Sequence, residues 1–287
     1  MKSKVYFTSE ITPEAVLRLY KALGVELCGR VAVKVHSGEK GNQNFLGPEL
    51  WSDLIKHVGG TVVECNTAYE GERNTTEKHL RLLHKHGWDK DFSCEILDGE
   101  GDDLVLDIPT GAVIKKNYVG RGLEKYDSML VLSHFKGHPM GGYGGALKQL
   151  SIGIASSYGK KYIHGAGDTD LLWDADHDSF LRSMADASLS VCELFKGRIC
   201  YINVMKNMSV DCDCCAVAED PCMGDIGILA SLDPVAIDKA CVDLVYASDD
   251  AGAPHLIERI EGRNGLITIT SAEALGVGSQ EYEIVKI

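Results

Sequence analysis

Short runs rich in branched apolar residues alternate with amphipathic stretches along most of this chain. That alternation restricts the fold more than any other feature. KVYFT (4–8), RVAVKVH (30–36), TVVEC (61–65), SMLVLSH (128–134), RICYINV (198–204) and DIGILAS (225–231) have the length and residue content of strands. Helical patterns lie between them. TPEAVLRLYKALG opens with Thr12 as N-cap and Pro13 at the first position, and closes near Gly24. GPELWSDLIKHVGG is stopped by two glycines, and TTEKHLRLLHKHGW by Gly87. DSFLRSMADASLSVCELFKG is a long helix, and DPVAIDKACVDLVYA starts on Asp233 and Pro234. GLITIT reads as a late strand, and GDDLVLDIP with AVIKKNYVG as an antiparallel hairpin.

Such alternation builds an α/β fold, here a largely parallel, mixed sheet with flanking helices. The 287 residues suit one domain over 1–287 or two intimate subdomains. A boundary between subdomains falls near 160–180, where GKKYIHGAGDTDLLWDADHDS has no periodicity.

Ligands of open α/β sheets gather beyond the carboxyl ends of strands. The polar segments after strands are therefore the ones to read. HSGEKGNQN (36–44) offers His36, Glu39, Lys40 and Asn42, as a pocket wall or as a solvated turn. CNTAYEGER (65–73) offers Asn66 and Arg73. SHFKGHPMGGYGGALKQLSIG (133–153) offers His134, Lys136, His138 and Lys148 around a glycine-rich turn that opens a helix. Backbone amides in such a turn can cradle an anion. The spacing matches neither common nucleotide-binding glycine motif. His36, Lys136 and His138 are the candidate catalytic groups. Each histidine has a structural, hydrogen-bonded imidazole as its alternative.

The net charge is −13 and the pI about 5.2, so a nucleic-acid partner is not expected. The N-terminal MKSKVYFTSEITPEAV has no apolar segment of the secretory kind, and no run approaches membrane-spanning length. A cytoplasmic protein without membrane contact is expected. In a reducing compartment ten cysteines do not make a disulfide framework. Cys28, Cys65, Cys94, Cys192 and Cys200 read as small buried hydrophobes, and Cys241 as a core residue of its helix.

DCDCCAVAEDPCMGD (211–225) is different. Cys212, Cys214, Cys215 and Cys222 crowd a polar loop. Soft thiolates select zinc, Cu(I) or iron–sulfur clusters. Structural zinc normally takes two separated C-x-x-C knuckles, and no second one exists in this chain. An iron–sulfur site therefore reads better than zinc, with Cys212, Cys214 and Cys222 as ligands and Cys215 as the fourth candidate. Three thiolates would leave one iron open.

VKVHSGEKGN, CNTAYEGER, SHFKGHPMGGYGGALKQLSIG and DIGILASLDPVAIDKACVDLV, in that order over residues 30–245, resemble the motifs of domain-of-unknown-function family 362. The resemblance implies an α/β protein of anaerobic or facultative prokaryotes with a 4Fe–4S cluster. The ferredoxin-like insert of many members, expected after KYIHG, is missing here, so this is the shorter form. The metal-binding role carries over only to Cys212, Cys214, Cys215 and Cys222.

The expected function is redox or sulfur-transfer chemistry on a small anionic molecule at an iron–sulfur site. An oxidoreductase or sulfur transferase is the enzyme reading. A zinc- or divalent-metal-dependent hydrolase or transferase is the first alternative, and a non-catalytic cluster carrier or redox sensor the second. A redox partner protein and a homo-oligomer both stay open.

Overall fold

The structure is a computed structural model that describes residues 2–287. In chain order its first elements are β1 (Ser3–Thr8), α1 (Pro13–Ala22), β2 (Val31–Lys34), α2 (Pro48–Val58), β3 (Thr61–Glu64), α3 (Thr76–Lys85), β4 (Cys94–Ile96), β5 (Leu104–Asp107), β6 (Lys116–Val119) and β7 (Ser128–His134). Then come β8 (Lys136–His138), β9 (Gly142–Gly144), α4 (Ala146–Leu150), α5 (Ser157–His164), α6 (His177–Leu194), β10 (Ile199–Met205), β11 (Gly227–Ser231), α7 (Pro234–Tyr246), α8 (Ala253–Gly262), α9 (Leu266–Ala274) and β12 (Tyr282–Lys286).

Eight strands form one mixed sheet in the order β12-β1-β11-β10-β7-β2-β3-β4. The run from β10 to β4 is parallel. β11 lies antiparallel between β10 and β1, and β12 pairs parallel with β1. The chain steps outward from β2 through β3 to β4, then returns to place β7 on the other side of β2. The strand order thus reverses between β2 and β7, and a crevice belongs at their carboxyl ends. β5–β6 and β8–β9 are separate antiparallel hairpins.

Side chains alternate across the sheet with period two. Val31, Val33, Leu130 and Leu132 face a core shared with α1, α2 and Trp88. Ala32, Met129, Val131 and Tyr201 face the opposite core, built with α4, α6, α7, α8 and α9. A smaller cluster joins the β5–β6 hairpin to α5 and α6 through Ile108, Ile114, Ile163 and Phe180. Asp186 holds that hairpin's turn by accepting the N–H groups of Ala112 (2.6 Å), Val113 (2.7 Å) and Ile114 (2.9 Å).

Two expectations are corrected. GLITIT is not a strand but the start of helix α9. Its branched residues favour strands locally, yet Thr268, Ile269 and Ala272 recur at helical spacing, are buried and pack on α6. The Thr268 hydroxyl also donates to the Leu181 carbonyl at 3.3 Å. Cys28 is exposed rather than buried, because it lies in the loop between α1 and β2. Among the described residues no helix is long and apolar enough to cross a membrane.

Candidate functional site

The site forms where the parallel strands end. β2 is covered on both faces, so even its last residue, Lys34, is 1% exposed. The Lys34 ammonium donates to Glu64 Oε2 on neighbouring β3 at 2.7 Å, and to the Val35 carbonyl. The other Glu64 oxygen accepts from the Ser37 N–H (2.8 Å) and hydroxyl (3.0 Å). Burial alone would raise the Glu64 carboxyl, but the Lys34 ammonium, with Arg73 nearby, holds it far below the usual range.

The cysteines follow β10. The Cys215 N–H donates to the Cys212 carbonyl at 2.9 Å, which closes a four-residue turn with Asp213 and Cys214 at its centre. Asp213 is the anchor of this turn. Its carboxylate lies 2.9 Å from His134 Nδ1 and 2.8 Å from Lys136 Nζ. Burial raises this carboxyl, but His134 and Lys136 pull it well below normal. His134 Nε2 faces the Lys206 carbonyl at 2.6 Å. The ring thus bridges the Asp213 carboxylate and the Lys206 carbonyl.

The other side of the turn is held from β2 and β3. Asn42 Nδ2 donates to the Cys215 carbonyl (2.9 Å) and the Cys212 carbonyl (3.3 Å). The Glu39 N–H donates to the Asp213 carbonyl at 2.8 Å, and the Tyr69 hydroxyl to the Cys214 carbonyl at 3.3 Å. Gly137 of β8 donates to the Ser209 carbonyl at 2.8 Å. A Cβ there would run into the Val210 backbone, so this close approach requires glycine.

Cys212 Sγ, Cys214 Sγ and a ring nitrogen of His138 lie within 4.8 Å of one another, and this group could hold a metal ion. Lys148 Nζ is 3.2 Å from Cys212 Sγ. Burial raises the Cys212 thiol, but its hydrogen bond with Cys214 and the ammonium groups of Lys148 and Lys136 bring it well below the thiol range. The proton stays on Cys214, which is pushed far up by its hydrogen bonds with Cys212 and Cys215. Burial and Lys148 lower His138 to about 4, so its ring is neutral. His138 Nδ1 accepts from the N–H groups of Gly141 (2.8 Å) and Met140 (3.1 Å). The ring hydrogen therefore sits on Nε2, which is 4.0 Å from Cys214 Sγ. Here His138 presents a donor to the sulfurs, and the thiolates are the stronger metal ligands.

Lys148 is placed by a residue far along the chain. Asp238 of α7 accepts the Ala146 N–H (2.7 Å) and Leu147 N–H (2.9 Å) at the start of α4. It also accepts from Asn203 Nδ2 (2.7 Å) and the Tyr143 hydroxyl (3.3 Å). Gly145 leaves room for this carboxylate, which a Cβ would strike.

Cys222 stands apart from the group. Its N–H and its thiol both point to the Met208 carbonyl, at 2.9 and 3.2 Å, and burial raises the thiol. A 4Fe–4S cluster binds each thiolate at a different iron and spreads its ligands over a cube. The three remaining sulfurs share one tight turn, so the donor set fits a single thiophilic ion more closely than a cube.

A cavity of about 370 Å³ opens beside the turn. His36, Arg73, His134, Lys136, His138, Lys148 and Cys214 reach its wall. Glu39 and Asn42 lie behind it. Glu39 accepts from Arg73 Nε at 3.1 Å, and Asn42 latches the turn. Lys40 is exposed, and neither it nor Asn66 lines the cavity. Asn66 Nδ2 instead donates to Thr76 Oγ1 at the start of α3 (3.1 Å). The sequence reading missed Lys34, Glu64, Asp213, Lys160 and His164. A lysine inside VAVKVH and a glutamate ending TVVE were a legible signal, since opposite charges in adjacent buried strands pair.

No curated protein matches the sequence. Among solved structures, a crystal structure of a protein from Thermotoga maritima is 14% identical, with a TM-score of 0.46 over 93% of this chain and 59% of that one. The lactate racemase apoprotein from Thermoanaerobacterium thermosaccharolyticum is also 14% identical, with a TM-score of 0.40 over 71% of this chain and 51% of that one. The chain thus spans little more than half the length of either protein. The profile of the family described as Domain of unknown function (DUF362) matches residues 31–243, which include every residue of the site described above. The chain belongs to the DUF362 family.

Proposed function

We propose that this protein is a metal-thiolate enzyme that acts on a small organic anion bound beside the Cys212–Cys215 turn. One observation carries the reading. The Cys212 thiolate, its proton-bearing neighbour Cys214 and His138 converge, and Cys214 and His138 line a cavity whose other charged groups are mainly cations. Thiolates held in that way bind a soft metal ion, and a bound ion would supply Lewis-acid or redox chemistry at the cavity.

The chain's own groups have separate tasks. Cys212 and Cys214 hold the ion, with Cys215 as the adjoining thiol. Lys148 and the Nε2–H of His138 offset negative charge on the sulfurs. Asp213, fixed by His134 and Lys136, keeps the turn in place. The surrounding lysines and Arg73 favour an anionic substrate and repel cations.

An iron–sulfur cluster is the second reading. The third thiol, Cys215, beside Cys212 and Cys214 favours it, and redox or sulfur-transfer chemistry would follow. Metal and acid-labile sulfide analysis of anaerobically purified protein separates the two. The single-ion reading expects one thiophilic metal without sulfide. Equal iron and sulfide would support the cluster, and protein free of metal after anaerobic reconstitution would refute both.

A further inference from the structure

One cation in the cavity wall makes no ion pair among the described residues. Lys34, Arg73 and Lys136 each meet a carboxylate, from Glu64, Glu39 and Asp213. Lys148 meets the Cys212 sulfur. Lys160 is 8% exposed and lines the cavity, yet its ammonium meets only the Ala155 carbonyl, at 2.5 Å. A buried ammonium without a paired anion is unfavourable; nearby Asp98 is engaged by the Asn66 and Ser157 N–H groups, and Asp103, which feels the Lys160 charge, makes no ion pair with it.

His164 lies one helical turn after Lys160 on α5, on the same helix face. It is buried, lines the cavity, and its Nδ1 has no hydrogen-bond partner. Burial and the surrounding cations keep its ring neutral. That leaves one face of α5 offering an ammonium with two free hydrogens beside a neutral imidazole at the cavity wall.

The wall next to them is apolar. The His164 ring stacks on Phe180, with centroids 4.5 Å apart, and meets the edge of Trp173 at 4.7 Å. Trp173 lines the cavity while 45% exposed, and Met140 and Ile152 line it as well. An indole left open to solvent at a cavity wall offers a flat apolar surface to a ligand.

We propose that Lys160 and His164 bind a carboxylate, and that the ligand's flat apolar body lies against Trp173, Met140 and Ile152. This deepens the reading above by naming the substrate class of the same cavity, and it rests on that reading only in treating the ligand as the substrate. One ammonium without an ion pair beside one neutral imidazole matches a single negative charge shared by two oxygens. A phosphate dianion would need more cation than is free. The cavity volume suits an acid with one ring.

The test is calorimetric titration of the full chain with benzoate, benzamide and inorganic phosphate, with metal content measured on the same samples. Benzoate is expected to bind, and the neutral isostere benzamide to bind roughly 10- to 100-fold more weakly. K160Q and W173A should each weaken benzoate by roughly tenfold or more without changing metal content. Trp173 is half-exposed, so W173A decides the matter even if K160Q fails to fold. Metal-replete wild-type protein that ignores benzoate would overturn the proposal. So would benzamide or phosphate binding as tightly, or W173A binding unchanged. Metal-free protein that still binds benzoate through Lys160 would refute the metal centre and leave this inference standing.

Discussion

The ammonium of half-buried Lys148 lies 3.2 Å from the sulfur of buried Cys212. Each group offsets the other's desolvation. Burial lowers a lysine and raises a thiol, yet here the lysine is raised and the thiol lowered. Removing either partner strands the other.

Lys148→Met should therefore convert Cys212 back toward a thiol. A lowered thiol is ionised at neutral pH, so losing the cation moves its titration upward. The midpoint of ultraviolet thiolate absorbance in metal-free protein should rise by roughly 1 pH unit or more. An unmoved midpoint would mean that Lys148 does not hold the thiolate.

The Lys34–Glu64 pair should behave as a buried ion pair. Lys34→Met leaves a carboxylate buried and should destabilise by about 3–5 kcal/mol, read as a denaturant midpoint. Lys34→Met with Glu64→Leu should recover much of that loss. The Glu64 carboxyl is depressed in the fold, so its contribution is complete above the unfolded value of about 4.3 and drains away below it.

His79 should make stability fall earlier on acidification. It is 0% exposed, and neither ring nitrogen has a partner. Burial lowers it to about 3. The unfolded chain takes up this proton near pH 6.5 and the folded chain does not, so stability is lost as pH falls from about 6.5 toward 3. His79→Leu should raise Tm and flatten its decline between about pH 7 and about pH 5. A decline as steep as in the parent would assign the loss to other groups.

Asp238→Asn should cost about 3 kcal/mol, because an amide group would turn a donor toward N–H groups that now meet oxygen. Burial raises this carboxyl to about 6 against four donated hydrogen bonds. Denaturant unfolding measures the loss, and a near-neutral effect would show that α4 is held by packing alone.

Local patterns carried most of the architecture. The strand and helix signals at 4–58, with Thr12 as cap and Gly59 as stop, appear as read because local preference and burial agree. GLITIT misled because its branched residues suit a strand while its burial spacing suits a helix on α6. β12 and the antiparallel placement of β11 depend on long-range pairing, which no local pattern encodes. At the site, the glycine-rich turn and the cysteine loop were legible as polar segments after strands. The split among the thiols was not, because only the fold turns Cys222 toward Met208 and Cys212 toward Lys148. Asp238 and Lys160 escaped notice because each looks like an ordinary helix residue until its neighbours are known.

The central claim is that the metal belongs to the turn and not to the whole loop. Metal content of anaerobically purified Cys212→Ser and Cys222→Ser, measured beside the parent protein, tests it most directly. The account predicts that Cys212→Ser loses the metal while Cys222→Ser keeps the parental amount. Equal loss from both would contradict it.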